Sequence, residues 1–246
     1  MMTAFVKITK QRFQLMIDKV LATKLMTRGW PLIFSAFMIM IYMRIDQIML
    51  GEMVNDYEVG TYSAALKLSE IWYIIPTIIC NSFFPSIIEA KKLGQEIYHR
   101  KIQNLFDILF FISFAIAVVV ALSSNLIIDI LYGDQYKDAA IILTIHIWSA
   151  LFVFVGVGSS NFLIIENLQM KTFTRTGLGA IINIGLNLIL IPKFYAIGAA
   201  VATLISQFLS SYLFDLLSKK TYILFKMKTR TFTGMNYLQR FFKEKQ

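Results

Sequence analysis

Apolar and polar positions alternate along this chain on the scale of whole segments. Long apolar runs lie at about 30 to 50, 61 to 86, 105 to 122, 139 to 165, 174 to 191 and 195 to 217, with short polar stretches between them. Each run is long enough, or nearly so, to cross a hydrocarbon core of roughly 30 Å as a helix of about 20 residues. A helix satisfies its own backbone hydrogen bonds, whereas an open sheet in lipid leaves edges unpaired. The pattern predicts an all-α membrane protein with six transmembrane helices spread over 30–217. Ahead of it, Phe5, Ile8, Phe13, Met16, Ile17, Val20 and Leu21 recur at helical spacing with lysines between them. Residues 1–29 therefore read as a basic amphipathic segment at the cytoplasmic interface. Residues 218–246 read as a basic cytoplasmic tail lying on the anionic inner leaflet.

Composition agrees with lipid as the solvent: 57% of residues are hydrophobic and 16% charged, against about 25% charged in ordinary soluble domains. The single cysteine, Cys80, excludes a disulfide framework, and His99 and His146 have no zinc spacing, so no metal or cofactor is expected. The net charge of +9 would point to nucleic acid in a soluble protein. Here its placement gives it another meaning. With both termini inside, 20 of the 24 cations fall on the cytoplasmic side, counting Lys171 and Arg175 among the loop cations, as cytoplasmic flanks prefer. The interleaved cations and aromatics after Leu217 then belong to a membrane surface, and nucleic acid is not an expected partner.

Four charges interrupt the apolar runs in the outer half. At about 1.5 Å per residue from the outer ends, Asp46 lies roughly 7 Å deep, Arg44 and Lys67 roughly 10 Å, and Glu70 roughly 15 Å. A charge facing lipid costs ~2.5 to 3.5 kcal/mol at a helix centre, so these groups should line water or protein. They form either a salt-bridged staple between the first two spans or part of a substrate or ion pathway. His146 reads as a packing residue, and Asp107, Glu166 and Asp215 as interfacial charges at inner span ends. In 177–207, Gly185 and Gly198 belong to a small-residue seam, and Asn183 and Asn187 share a helix face from which they can bond across helices. Pro192 and Lys193 mark an outer turn. Pro76 and Pro85 interrupt the second span.

The stretches RIDQIMLG, VGTYSAALKLSEIWYIIP, FFPSI and NIGLNLILIPKFYAIGAAVATLIS, in that order, resemble the carboxy-terminal half of polysaccharide-repeat flippases, the Wzx-like branch of the MATE-related exporter superfamily. The resemblance covers Trp30 to about Leu217. It implies one six-helix lobe of a two-lobe transporter, with the other lobe supplied by a missing N-terminal half or a second chain. The implied activity is translocation of undecaprenyl-pyrophosphate-linked oligosaccharide repeat units across the bacterial inner membrane for O-antigen or capsular polysaccharide synthesis. That is transport without catalysis, with membrane lipids and the lipid-linked oligosaccharide as partners. Arg44 and Lys67 would accompany the anionic substrate, and Asp46 and Glu70 would balance charge or couple an ion. Alternatives are a multidrug or cation exporter of the same superfamily, a membrane-embedded sugar polymerase or glycosyltransferase, and an inactive fragment.

Overall fold

The structure, a computed structural model, describes residues 19–234. The apolar recurrence ahead of Lys19 and the last residues of the tail lie outside them. All regular structure among the described residues is helical. Among them, five helices are long and apolar enough to cross a membrane: Gly29–Met53, Asp56–Leu93, Gln95–Tyr132, Ala139–Ile165 and Gln169–Leu217. This is a multi-pass membrane protein.

The first helix, α1 (Lys19–Met53), runs without a break from the basic flank into the first apolar run. Asn55 then caps α2 (Asp56–Glu70), its Oδ1 accepting the Glu58 N–H at 3.0 Å, and Asp56 and Glu58 suit the positive end of that helix. A 3-10 turn at Ile71–Tyr73 joins α2 to α3 (Ile74–Leu93). Pro76 explains the turn, since it has no N–H to offer the carbonyl of Trp72 four residues earlier. Gly94 (φ 128) separates α3 from α4 (Gln95–Tyr132). The run at 139–165 is two helices, α5 (Ala139–His146) and α6 (Ser149–Ile165), stepping at Ile147 and Trp148.

The last apolar helix, α7 (Gln169–Ser211), folds back on itself at Tyr195, whose backbone is non-helical (φ 52, ψ −133). Its two arms are antiparallel: Asn183 faces Thr203, and Gly179 faces Ser210. A Cβ on Gly198 would stand 2.5 Å from the Leu190 carbonyl oxygen, so only glycine admits the approach beside the turn. The reversal falls on Tyr195 and not on Pro192 and Lys193. Proline tolerates helical φ, and the helix continues past it until a left-handed residue turns the chain. The returning arm begins with the Ala196 N–H donating to Glu58 Oε2 at 3.0 Å, which gives a helix start both a hydrogen-bond acceptor and a favourable charge. Gly185 faces open space and brings no helix of the described chain closer.

Packing among the described residues forms two apolar clusters, at the end of the lobe that carries the Tyr195 turn, here termed outer, and at the opposite end, termed inner. The outer one joins the end of α1 and the faces of α2, α4 and α5 to the α7 turn, around Leu50, Tyr62 and Leu143. The inner one joins α3, α4 and α6 to a short helix, α8 (Tyr222–Phe232), around Phe106, Phe154 and Leu224. That packing corrects the expectation of a tail resting wholly on the leaflet. Lys228 of α8 is fully buried and bridges Asp215 at 2.6 Å, while Thr231 donates to Asp107 at 2.6 Å. Asp107 and Asp215 are correspondingly buried and are not interfacial charges, because α8 brings each a partner from beyond the last span. Burial pushes the Lys228 ammonium down to about 8 against the pull of Asp215. Glu166 stays at the edge, paired with Lys91 at 2.9 Å.

Candidate functional site

Asp46 projects from α1 into the junction of α2 and the two arms of α7. Only 3% of its surface is exposed. The Tyr62 hydroxyl donates to its Oδ2 at 2.7 Å, the Thr203 hydroxyl donates to the same oxygen at 2.5 Å, and Asn187 Nδ2 donates to Oδ1 at 2.5 Å. Asn187 Nδ2 also reaches Asn183 Oδ1 at 3.2 Å, and Asn183 Nδ2 reaches Thr203 Oγ1 at 3.3 Å. Each contact follows from local structure. Asn183 and Asn187 lie one helical turn apart on the outgoing arm, and the fold-back at Tyr195 sets Thr203 opposite them. A carboxylate at this depth is tolerable only with such donors. The knot also gathers acceptors: the carboxylate, the Asn183 and Asn187 carbonyls and the Thr203 hydroxyl. Asn187 Oδ1 has no hydrogen-bond partner among the described residues.

The four outer charges do not form one ionic cluster. Asp46 turns inward, whereas Arg44 and Lys67 are exposed and Glu70 is partly so. Among the described residues no ion pair joins any of them, although the charge of Arg44 acts on Glu70. The two cations therefore stand on a face of α1 and α2 that the described chain leaves uncovered, among exposed Ile41, Ile48, Ile71 and Ile74. His146 is buried, with Nδ1 2.9 Å from Ser69 Oγ and its ring edge-on to Tyr62 at 6.2 Å.

Sequence reasoning singled out Asp46, Asn183 and Asn187 for separate reasons and did not join them. It passed over Tyr62 and Thr203. A polar residue recurring twenty positions after Asn183, across a turn signal, was the available clue for Thr203. Tyr62 carried none, since a tyrosine near an outer helix end is ordinary interfacial composition.

Comparison with known proteins places this architecture. Residues 1–141 match the family described as Polysaccharide biosynthesis protein. The chain belongs to that family. The resemblance to Wzx-like polysaccharide flippases seen in the sequence motifs stands with it. The chain is 29% identical over 182 residues to the "Probable flippase AglR" of Haloferax volcanii, covering 71% of this chain and 37% of that protein. It is 23% identical over 181 residues to the "Capsular polysaccharide biosynthesis protein CapF" of Staphylococcus aureus, covering 73% and 46%. The chain thus spans between a third and a half of the length of these relatives. Its fold is similar to that of "Lipid II flippase MurJ, inward closed conformation", with a TM-score of 0.60 at 18% identity, covering 97% of this chain and 52% of that one.

Proposed function

We propose that this polysaccharide biosynthesis family member is one lobe of a flippase for lipid-linked glycans, and that the Asp46 knot binds the cation whose movement drives it. The observation that carries the coupling part is the buried Asp46 carboxylate, held between α1, α2 and both arms of α7. An ionisable residue within a span marks a functional site by default hypothesis, and hard cations take oxygen ligands such as carboxylates and carbonyls. A cation entering there displaces the amide and hydroxyl donors from the carboxylate and turns the two asparagine carbonyls toward itself. That changes how the α7 hairpin sits on α1 and α2. In alternating access one lobe rocks against the other around a central site, and a hairpin whose seat depends on ion occupancy biases that rocking.

Arg44 and Lys67 take the substrate role in this reading. An uncovered cation among isoleucines is costly against lipid and favourable against water or an anion, so their face looks into the space between lobes, with the second lobe supplied by another half or another chain. Glu70 balances charge beside Arg44. The outgoing arm of α7 is long enough to cross a core of roughly 30 Å, and the returning arm reaches that length with the 3-10 turn Leu213–Leu217 that continues it, which makes six crossings of five helices. The basic flanks then put both termini in the cytoplasm. The undecaprenyl carrier, O-antigen or capsular product and bacterial inner membrane implied by the sequence resemblance are the finer form of the same proposal. Among the alternatives, none has an observation in its favour comparable to the flippase names of the relatives.

The reading is tested in proteoliposomes holding this chain with a complementary lobe and a fluorescent lipid-linked oligosaccharide. Translocation that appears with both components and drops at least tenfold in Asp46→Asn is expected. No translocation with the chain alone, as a pair of copies or with any complementary lobe contradicts it.

A further inference from the structure

The inner half of the lobe holds a cavity of about 260 Å³ between α1, α6 and both arms of α7. Arg175, which the sequence placed among loop cations, lines it and is 6% exposed. One terminal nitrogen of the guanidinium is anchored: Nη2 donates to the Gly156 carbonyl at 3.1 Å and to Ser160 Oγ at 2.8 Å. The other, Nη1, has no hydrogen-bond partner among the described residues, and neither has Thr172 Oγ1, three residues earlier on the same helix face and on the same cavity wall. Asp215 is the carboxylate whose charge acts on Arg175, but it is already engaged by Lys228. A buried guanidinium held in place and left short of acceptors lacks the compensation that buried charges normally have.

The walls explain why the chain does not close over it. Gly156 lies against Ser211 and Gly179 against Ser210, so closely that an added Cβ would stand 2.8 and 2.9 Å away. The arms of α7 and α6 are thus already at their closest approach beside the cavity, and the space under Arg175 persists. Ile39 and Met43 of α1 form an apolar wall. A planar guanidinium fork suits the paired oxygens of a phosphate, and the volume, below the ~300 Å³ of a drug-sized pocket, suits a headgroup and not an oligosaccharide. Arg175 lies about 9 Å along α7 from Gln169, near the depth of a headgroup boundary.

We propose that Arg175, Ser160 and Thr172 form a binding site for a phosphate group at the inner end of the lobe. The phosphate comes from a lipid headgroup entering past α1 or from free phosphate in the aqueous phase. The site deepens the flippase reading, since a diphosphate-linked lipid carries the group required, and it rests on that reading only for its role in transport.

The test uses the purified chain in a maltoside detergent, which contains no phosphate, with farnesyl diphosphate, inorganic diphosphate and farnesol titrated by calorimetry. Saturable binding of farnesyl diphosphate is expected, at least tenfold weaker in Arg175→Met, several-fold weaker in Thr172→Val and absent with farnesol. Inorganic diphosphate binding with the same dependence on both residues identifies the free anion as a source, and its failure to bind identifies the lipid form. Should Arg175→Met not fold, Arg175→Lys keeps the charge, loses the fork and is expected to weaken binding together with Thr172→Val. Binding of neither diphosphate, or binding that these substitutions leave unchanged, overturns the proposal and leaves a cavity for water. Calorimetry needs no second lobe, so translocation lost with binding intact sinks the flippase reading alone, and binding absent with translocation intact sinks this site alone.

Discussion

Asp46 and Arg175 are both buried charges on the same packed helices, one in the outer half of the lobe and one in the inner, and their surroundings differ in kind. Around Asp46 both carboxylate oxygens are served by neutral donors from three other segments. Around Arg175 one nitrogen is served and the other is not. The inner half does pair charge with charge where it can, as Lys228 and Asp215 show. The difference teaches that burial alone does not mark a ligand site. The Asp46 carboxylate has its donors without an ion and exchanges them for one only in the proposed coupling step, whereas the guanidinium over the inner cavity is left short of an acceptor.

The largest effect on this contrast is expected from Lys228→Met. It leaves Asp215 buried without a counter-charge, at a cost of about 3–5 kcal/mol, and frees α8 from the Leu213–Leu217 turn that carries Asp215. Unfolding midpoints in detergent check it, and Lys228→Met combined with Asp215→Asn should recover most of the loss. If the single substitution were silent, the inner half would not be held by paired charge. Next comes Gly198→Val. Its side chain meets backbone beside Leu190, and overpacking of this kind costs about 1–3 kcal/mol. Because it forces the arms of α7 apart, a cysteine crosslink between positions 183 and 203 should form more slowly. Thr203→Val should cost about 1 kcal/mol by removing one donor to Asp46. A larger loss would mean that the knot acts as one cooperative network.

Two smaller effects bound the account. At the inner edge, partial burial raises the Glu166 carboxyl, but the Lys91 and Tyr98 hydrogen bonds and the charge of Lys91 hold it below its ordinary value of 4.5. The sign follows: the clamp's contribution is present above about pH 4.5 and is lost as pH falls through the lower folded value. Melting midpoints of wild type and Glu166→Gln should converge on acidification, while Asp46→Asn shows no such convergence from this pair. Gly185→Ala should stay within about 0.5 kcal/mol of wild type, because its Cβ meets nothing.

How much of this was legible beforehand varies with the physical distance over which each feature is determined. Apolar runs, loop charge and the asparagine pair are local, and they fixed the helices, the basic flanks and the small-residue seam. The break before Pro76 was also local, since a missing N–H acts four residues back. What the sequence hid was long-range closure. Lys228 looked like one more cation of a surface tail until α8 folded it onto Asp215, and Arg175 was counted with the loop cations because it sits at the very edge of an apolar run beginning at 174, whereas helix α7 begins five residues earlier, at Gln169. Arg44 and Asp46, two residues apart, already had to point to different sides of their helix, but which side was inside depended on where the α7 hairpin docked. Tyr62 and Thr203 became recognisable only after that docking.

The most direct test of the central claim is the initial rate of lipid-linked oligosaccharide translocation under an imposed monovalent cation gradient, compared between wild type, Asp46→Asn and Arg175→Met. The account predicts that wild type responds to the gradient, that Asp46→Asn is at least tenfold slower and does not respond, and that Arg175→Met is slower but still responds. An Asp46→Asn protein that flips at the wild-type rate with the wild-type gradient response would contradict it.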